Sequence, residues 1–512
     1  MLFRSALVDE YAEAWSYYLI KASADLAAEQ GPCTKWEELK YHNGVLPIDT
    51  RKREIDELVP HQERMPWRAL REQILSTGIR NATLMALVGY LKESERYPLP
   101  MIRYAQGLQL KKVVEHHYKH TPVFTERMTA AGLKPGDIKR VVDLARLPVI
   151  HKRDIQANKS RFVCDLIPEG HKPIGEVKTS GSTGEPIAVM RTAVNQLMWE
   201  AMAIRDHQWN QRKYNLRLAA IRANIFDDII QPTWGPPVSR LYPSAKSLGM
   251  NVSSDIDHIM AKLREFDPQF LVVHAGVLLE MVMTWEKTGF DLPNLRHIKN
   301  LGCMIPEGLR DRMRALSGLE IEDNYSSSEV GGIAIQCKEG QLLHILEETV
   351  YVEILREDGT PCSEGETGRV VVTDLHNFAS PMIRYDLGDY AEVGPAQCKC
   401  GRTLGTITSV VGRERNTFYR PDGSRFWPKA GMYQLPDIVN IKQWQIIQHE
   451  LDHIEYRLVT DEPITEEQRE KIAALAPRFL GYQPRITVTG QTEPLPRTKT
   501  GKFEEAICLV KR

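Results

Sequence analysis

The chain has 512 residues, which at roughly 150 residues per domain allows about three domains. It is 42% hydrophobic and 26% charged, which excludes a mainly disordered chain. Its 66 Lys and Arg offset 67 Asp and Glu to a formal charge of -1, so no global basic field points to nucleic acid as the main partner. No stretch approaches roughly 18 uninterrupted apolar residues, so neither a membrane-spanning helix nor a membrane partner is expected. Asp9 and Glu10 interrupt any signal-type apolar run. The 8 cysteines are too sparse for a disulfide scaffold. A cytoplasmic protein is the expectation.

Residues 9–31 have helical periodicity and stop at Gly31-Pro32. Residues 1–100 read as a helical N-terminal extension with no chemical motif. A structural role competes there with a substrate-covering or dimerising one, which leaves room for a homodimer. From about 100 to 330, helical stretches (104–118, 192–209, 255–265, 306–316) separate short apolar runs. Phe270 to His274 and His297 to Leu301 are strand candidates. This alternation argues for a mostly parallel sheet with helices on its faces. Residues 345–412 turn to β patterning, with two antiparallel strands flanking the turn-rich 358–367. A polar hinge at 412–416 opens a last module. Its candidate strands are 441–447, 455–460 and 485–490, with a helix capped by Thr465. The domains expected are therefore 1–100, a core of 101–412 and a module of 413–512.

The sharpest local signal is Thr179-Ser180-Gly181-Ser182-Thr183-Gly184-Glu185-Pro186. Small and hydroxylated residues leave backbone N–H groups and hydroxyls free to wrap a phosphate. A flexible surface turn has the same composition. The strand-like residues after it suggest a loop joining two strands. Asn324-Tyr325-Ser326-Ser327-Ser328-Glu329 then offers a ring to stack on a base and a carboxylate suited to Mg2+. Alone, Glu329 also suits a helix start. Asp389, in a polar turn, can accept both hydroxyls of a ribose or be an ordinary turn residue. Lys502 lies in a basic loop that can carry a cation to an anionic centre or sit in solvent. Cys337, His344, Cys398 and Cys400 offer three thiols and one imidazole, the donor set of a closed structural zinc site. Reduced surface thiols are the alternative.

In this order the segments resemble the adenylate-forming superfamily of acyl-CoA synthetases, adenylation domains and luciferases. They are most similar to its phenylacetate–CoA ligase branch. The phosphate loop resembles that branch's TSGTTGKP type, and LGCMIP (301–306) its adenine-binding segment. NYSSSEVGG resembles the Y-G-x-S-E segment, and IRYDLGD the IRYRTGD segment. VGRER resembles the hinge, and LPRTKTGK the C-terminal lysine motif. The resemblance covers about residues 100–512. It implies an α/β fold, with a large N-terminal domain of mostly parallel sheets and a small β-barrel-like part. A small mobile α+β C-terminal domain follows.

The activity implied has two steps. ATP and a carboxylic acid give an acyl-adenylate, and a thiol such as that of CoA then displaces AMP. By the same resemblance, Thr179 to Gly184 cradle phosphates. Gly302, Cys303, Asn324, Tyr325, Ser326 and Ser328 line the nucleotide site. Asp389 and Arg413 hold the ribose, Glu329 holds Mg2+, and Lys502 bridges carboxylate and α-phosphate. The thiol and imidazole pattern also occurs in this branch, as structural zinc. The acyl pocket is expected between the 192–209 helix and the strands ending near His274 and Gly302. Trp209, Trp234, Phe226, His274 and Gly332 are its candidates, and an aromatic acid is the expected substrate.

Three departures stand out. Glu185 replaces the usual loop lysine, Cys303-Met304 replace a small-acidic pair, and residues 414–428 differ from the usual acceptor-tunnel segment. These keep two other readings open. One is adenylation followed by transfer to an amine or a carrier-protein thiol in a biosynthetic pathway. The other is a decayed nucleotide-binding scaffold.

Overall fold

The computed structural model describes residues 79–178, 187–306, 308–428, 435, 438–493, 495 and 506–510. The phosphate-loop residues Thr179 to Gly184, the helical pattern at 9–31 and Lys502 lie outside the described residues.

The apolar run at 270 forms the centre of a six-stranded sheet. Its order is Ile229–Gln231, Ser247–Asn251, Leu218–Arg222, Phe270–Val273, His297–Asn300, Ile321–Glu322. All neighbours are parallel except the edge strand Ile229–Gln231. Leu271 and Val273 face a core shared with helices Ile256–Phe266, Ala275–Thr288 and Leu309–Ser317. Phe270 and Val272 face Trp234 and Leu218 on the other side. Burial on both faces explains why this strand reads as continuous apolar sequence rather than an alternation.

A second sheet is wholly antiparallel and has seven strands. Its order is Val350–Leu355, Thr367–Asp374, Tyr385–Val393, Thr406–Arg413, Leu343–Ile345, Gly331–Gln336, Asn324–Ser327. The β-barrel-like part thus takes the form of an open sheet, whose two edge strands do not pair with each other.

The strands Ile174–Lys178 and Ala188–Thr192 flank the phosphate-loop residues and pair antiparallel. Thr192 ends the second strand and caps the helix Ala193–Trp209. Its hydroxyl accepts from the Asn195 N–H at 3.3 Å, and Asn195 Oδ1 accepts from the Thr192 N–H at 3.0 Å. This reciprocal pair satisfies two otherwise orphan donors and sets where the helix starts. Helix Ile79–Ser94 buries Leu84, Val88 and Leu91 against Ala201, Met202 and Ile204 of that helix. Helix Leu99–His120 crosses the expected boundary at residue 100. Buried Arg205 donates to both oxygens of Glu348 at 3.0 and 2.8 Å, tying the helix to the antiparallel sheet.

The C-terminal sheet has the order Arg485–Gln491, His453–Thr460, Ile441–Glu450, Ala506–Cys508. Helix Glu466–Leu480 covers it through Ile472, Ala476 and Leu480, and starts at Thr465, whose hydroxyl accepts from the Gln468 N–H. Trp427 packs so close to Gly412 that a Cβ there would lie 2.3 Å from its ring. The Trp427 indole donates to the Arg413 carbonyl at 3.0 Å.

Candidate active site and candidate metal centre

The antiparallel sheet assembles the first group of residues. Asp389 and Arg413 are register partners on neighbouring strands, and Arg413 Nε lies 3.4 Å from Asp389 Oδ1. Tyr325, on the edge strand Asn324–Ser327, donates its phenol proton to Asp389 Oδ2 at 2.7 Å. Burial raises the Asp389 carboxyl above its ordinary value, and the Arg413 guanidinium opposes that rise. Burial, joined by the Asp389 charge, also raises the Tyr325 phenol well above its ordinary value. Glu329 sits in the turn after this strand, where the Tyr385 hydroxyl donates to it at 3.5 Å. Asn324 Oδ1 is buried and has no hydrogen-bond partner among the described residues. An unpaired buried acceptor costs about 1–3 kcal/mol, so it suits a donor that arrives with a ligand. Ser326 and Ser328, further along this segment, are both exposed.

A second group lies at the carboxyl ends of the parallel strands, where open α/β sheets place their ligands. His274 precedes the helix Ala275–Thr288, and Gly302 and Cys303 follow the strand His297–Asn300. A Cβ on Gly302, which has φ +68°, would lie 3.5 Å from the His274 ring. The Ala275 N–H donates to Cys303 Sγ at 3.2 Å. The Asn300 amide donates to Asp323 Oδ1 at 2.9 Å, and the Asn324 N–H donates to that same oxygen. This chain of bonds joins the two groups.

A small solvent-open cleft begins at Val330, the residue after Glu329. Met198, Trp199 and Met202 of the helix Ala193–Trp209 form one wall, and Val330 to Gly332 form another. Gly332 is therefore a cleft residue, whereas His274 lies with Gly302 and Cys303. Arg191, Asn195, Asp374 and His376 complete the lining. Asp374 accepts from the His376 N–H at 2.8 Å and from the Asn195 amide at 3.1 Å. Burial pushes its carboxyl up to about 6. Burial lowers the Arg191 guanidinium, while the charges of Asp374 and Glu329 oppose that shift.

Three expected pocket residues are elsewhere. Trp209 is 4% exposed, donates its indole proton to Glu95 Oε2 at 2.5 Å and packs under Arg402. Trp234 is buried, donates to the Leu216 carbonyl at 2.7 Å and packs on His207 and Phe270. Both indoles are consumed by core packing and a fixed acceptor. Phe226 is 83% exposed. Composition around these residues hid Arg191, whose signal was a lone cation in the apolar run Ala188 to Met190 just after the phosphate loop.

The thiol corner is closed. Ligand atoms of Cys337, His344, Cys398 and Cys400 all lie within 4.8 Å of one another. Cys337 Sγ and Cys398 Sγ are 3.5 Å apart, and Cys400 Sγ is 3.3 Å from His344 Nε2. A tetrahedral zinc ion with bonds of about 2.3 Å needs ligand atoms about 3.8 Å apart, so the donors fit with small adjustments. Gly340 clears the space: a Cβ there would sit 2.2 Å from Cys398 Sγ. Burial lowers the His344 imidazole to about 4, which keeps it neutral as a metal ligand must be.

Residues 4–88 match the family described as ribonucleotide reductase, barrel domain. Over 76 residues the chain is 49% identical to subunit alpha of ribonucleoside-diphosphate reductase 1 of Escherichia coli, covering 15% of this chain and 10% of that protein. The helix Ile79–Ser94 runs through the end of that segment. Over most of its length the chain is similar to different proteins. It is 23% identical over 462 residues to the phenylacetate-coenzyme A ligase of Thermus thermophilus, covering 82% of this chain and 100% of that one. A solved 2-hydroxyisobutyryl-CoA ligase, in the postadenylation state in complex with 2-HIB-AMP, shares the fold with a TM-score of 0.66. That likeness is at 16% identity and covers 82% of this chain and 92% of the other. Along the whole length of a phenylacetate-coenzyme A ligase, the chain is thus similar to the phenylacetate–CoA ligase-like branch of the adenylate-forming superfamily.

Proposed function

We propose that this chain activates a carboxylic acid with ATP and then passes the acyl group to the thiol of CoA. In the first step a carboxylate oxygen attacks the α-phosphorus, and the bond to pyrophosphate breaks. In the second the thiolate attacks the acyl carbon, and AMP leaves. The observation that supports this reading best is the cluster of Tyr325, Asp389 and Arg413, with Glu329 in the turn that leads to an open cleft at Val330.

Asp389 accepts from the ribose hydroxyls, helped by Arg413. Asn324 Oδ1 accepts from the exocyclic amine of the purine, whose ring lies along Tyr325, and Gly302 and Cys303 border the base. Glu329 holds Mg2+, which supplies neutralising charge to the phosphates when bound. Thr179 to Gly184 wrap the phosphates, with Ser326 and Ser328 at the same rim, and Lys502 stabilises charge at the α-phosphate. The cleft beside Gly332 takes the acyl group. Its exposed Trp199 ring, at 43%, and two methionines favour an aromatic acid. His274 lies on the adenine side of that pocket. Residues 413–512 rotate about Gly412 between the steps. Cys337, His344, Cys398 and Cys400 hold a structural zinc ion.

The test is ATP–pyrophosphate exchange across aryl and alkyl carboxylic acids, with Lys502→Ala as control. Acid-dependent exchange, lost in the variant, is the expected result. No exchange with any acid, despite ATP binding, would mean a scaffold that has lost its chemistry. AMP release that needs an amine or a carrier-protein thiol instead of CoA would replace the acceptor.

A further inference from the structure

Arg191 is the last residue but one of the strand that leaves the phosphate-loop segment, and its guanidinium lines the cleft. Among the described residues it makes one hydrogen bond, from Nη2 to the Ser328 carbonyl at 2.7 Å. Gly331, at φ +87°, lies against it: a Cβ there would be in ordinary contact, 3.5 Å from Nη2. No carboxylate among the described residues lies within ion-pair distance of it, although Glu329 and Asp374 flank it. Asp374 is engaged by the His376 N–H and the Asn195 amide instead. A guanidinium has five donors, and four here have no acceptor among the described residues. It shares the cleft lining with Met198, Trp199 and Met202, so the head of an acid would rest at the guanidinium while its body filled the cleft.

Resting on the adenylation reading above, we propose that Arg191 binds the carboxylate of the acid substrate and aims it at the nucleotide. The remaining donors form a two-pronged pair with the carboxylate, a geometry that a single ammonium cannot reproduce. Arg191 thereby selects for the ionised acid over its neutral isosteres.

The experiment compares wild type, Arg191→Lys and Arg191→Met in ATP–pyrophosphate exchange with an acid that supports it. The carboxamide of the same acid serves as a competitive inhibitor. In Arg191→Met the KM for the acid is expected to rise on the order of 10- to 100-fold. The KM for MgATP and the Ki of the carboxamide stay within about 3-fold, because neither uses the charge. Arg191→Lys falls between. A merely structural role, acting through the Ser328 carbonyl, would move the carboxamide Ki together with the acid KM, and would overturn the proposal. A rise in the MgATP KM alone would assign Arg191 to the triphosphate and overturn it equally. An unmoved acid KM would overturn it while leaving adenylation intact. No exchange in wild type with any acid would overturn both readings.

Discussion

The strand that carries Tyr325 and the strand that carries His344 both pair with Gly331–Gln336, yet their surroundings differ. Around His344, four donor atoms converge within 4.8 Å, and a glycine is needed simply to leave them room. Around Tyr325, the charged groups stand apart or meet at the long end of bonding range. Arg413 is 3.4 Å from Asp389, Tyr385 is 3.5 Å from Glu329, and Asn324 Oδ1 is unpaired among the described residues. A site for a resident ion gains by closing, since its ligands need no other partner. A site for a transient nucleotide gains by leaving polar groups unsatisfied until the ligand supplies the missing halves.

That contrast can be tested at both corners, beginning with the larger effect. Cys398→Ser should lower bound zinc from about one per chain to near none, read by elemental analysis. It should cost on the order of 4 kcal/mol or more of stability. Gly340→Ala should do the same by crowding Cys398 Sγ without removing a ligand. Full zinc in either variant would break the comparison.

At the open corner the fold should survive and activity should not. Glu329→Gln is expected to reduce ATP–pyrophosphate exchange on the order of 100- to 1000-fold with an unchanged thermal midpoint. Asp389→Asn should be milder. It weakens the Arg413 pair and the Tyr325 bond, and should raise the KM for ATP by about 10-fold, roughly 1.4 kcal/mol.

The smallest effect is a pH dependence in the cleft. Asp374 has a carboxyl pushed up to about 6 by burial, against an ordinary value of 3.8. Between those values the unfolded chain has released its proton while the folded chain keeps it, so Asp374 destabilises the fold as pH rises towards 6. The penalty is absent below the lower value and constant above the higher one. The stability of Asp374→Asn relative to wild type should therefore rise by about 1 kcal/mol from pH 5 to pH 6 and level off above pH 7. Denaturant unfolding at those pH values reads it, and a flat difference would show that Asp374 is solvated in the folded chain.

Much of this molecule was legible before any coordinates. Phe270 to Val273 read as a buried strand because an apolar run between helical patterns has few other places to go. Thr465 read as a cap because its hydroxyl and the residues after it satisfy helix-end donors locally. Tyr325, Asp389 and Arg413 stood out by residue type and order, and the fold brings them into contact. The tryptophans read wrongly. Trp209 and Trp234 have the composition of pocket residues, and only their acceptors, Glu95 and the Leu216 carbonyl, place them in the core.

Local chemistry is written in neighbouring residues, so strands, caps, motifs and candidate ligands can be read along the chain. Which groups meet depends on segments far apart in the chain. Arg191 faces a cleft built from residues up to 185 positions away, and Cys337 meets Cys398 across a separation of 61. Side-chain type states what a residue can do. Tertiary packing alone decided which partners satisfy it and which donors remain for a ligand, because burial makes each unmet hydrogen bond costly.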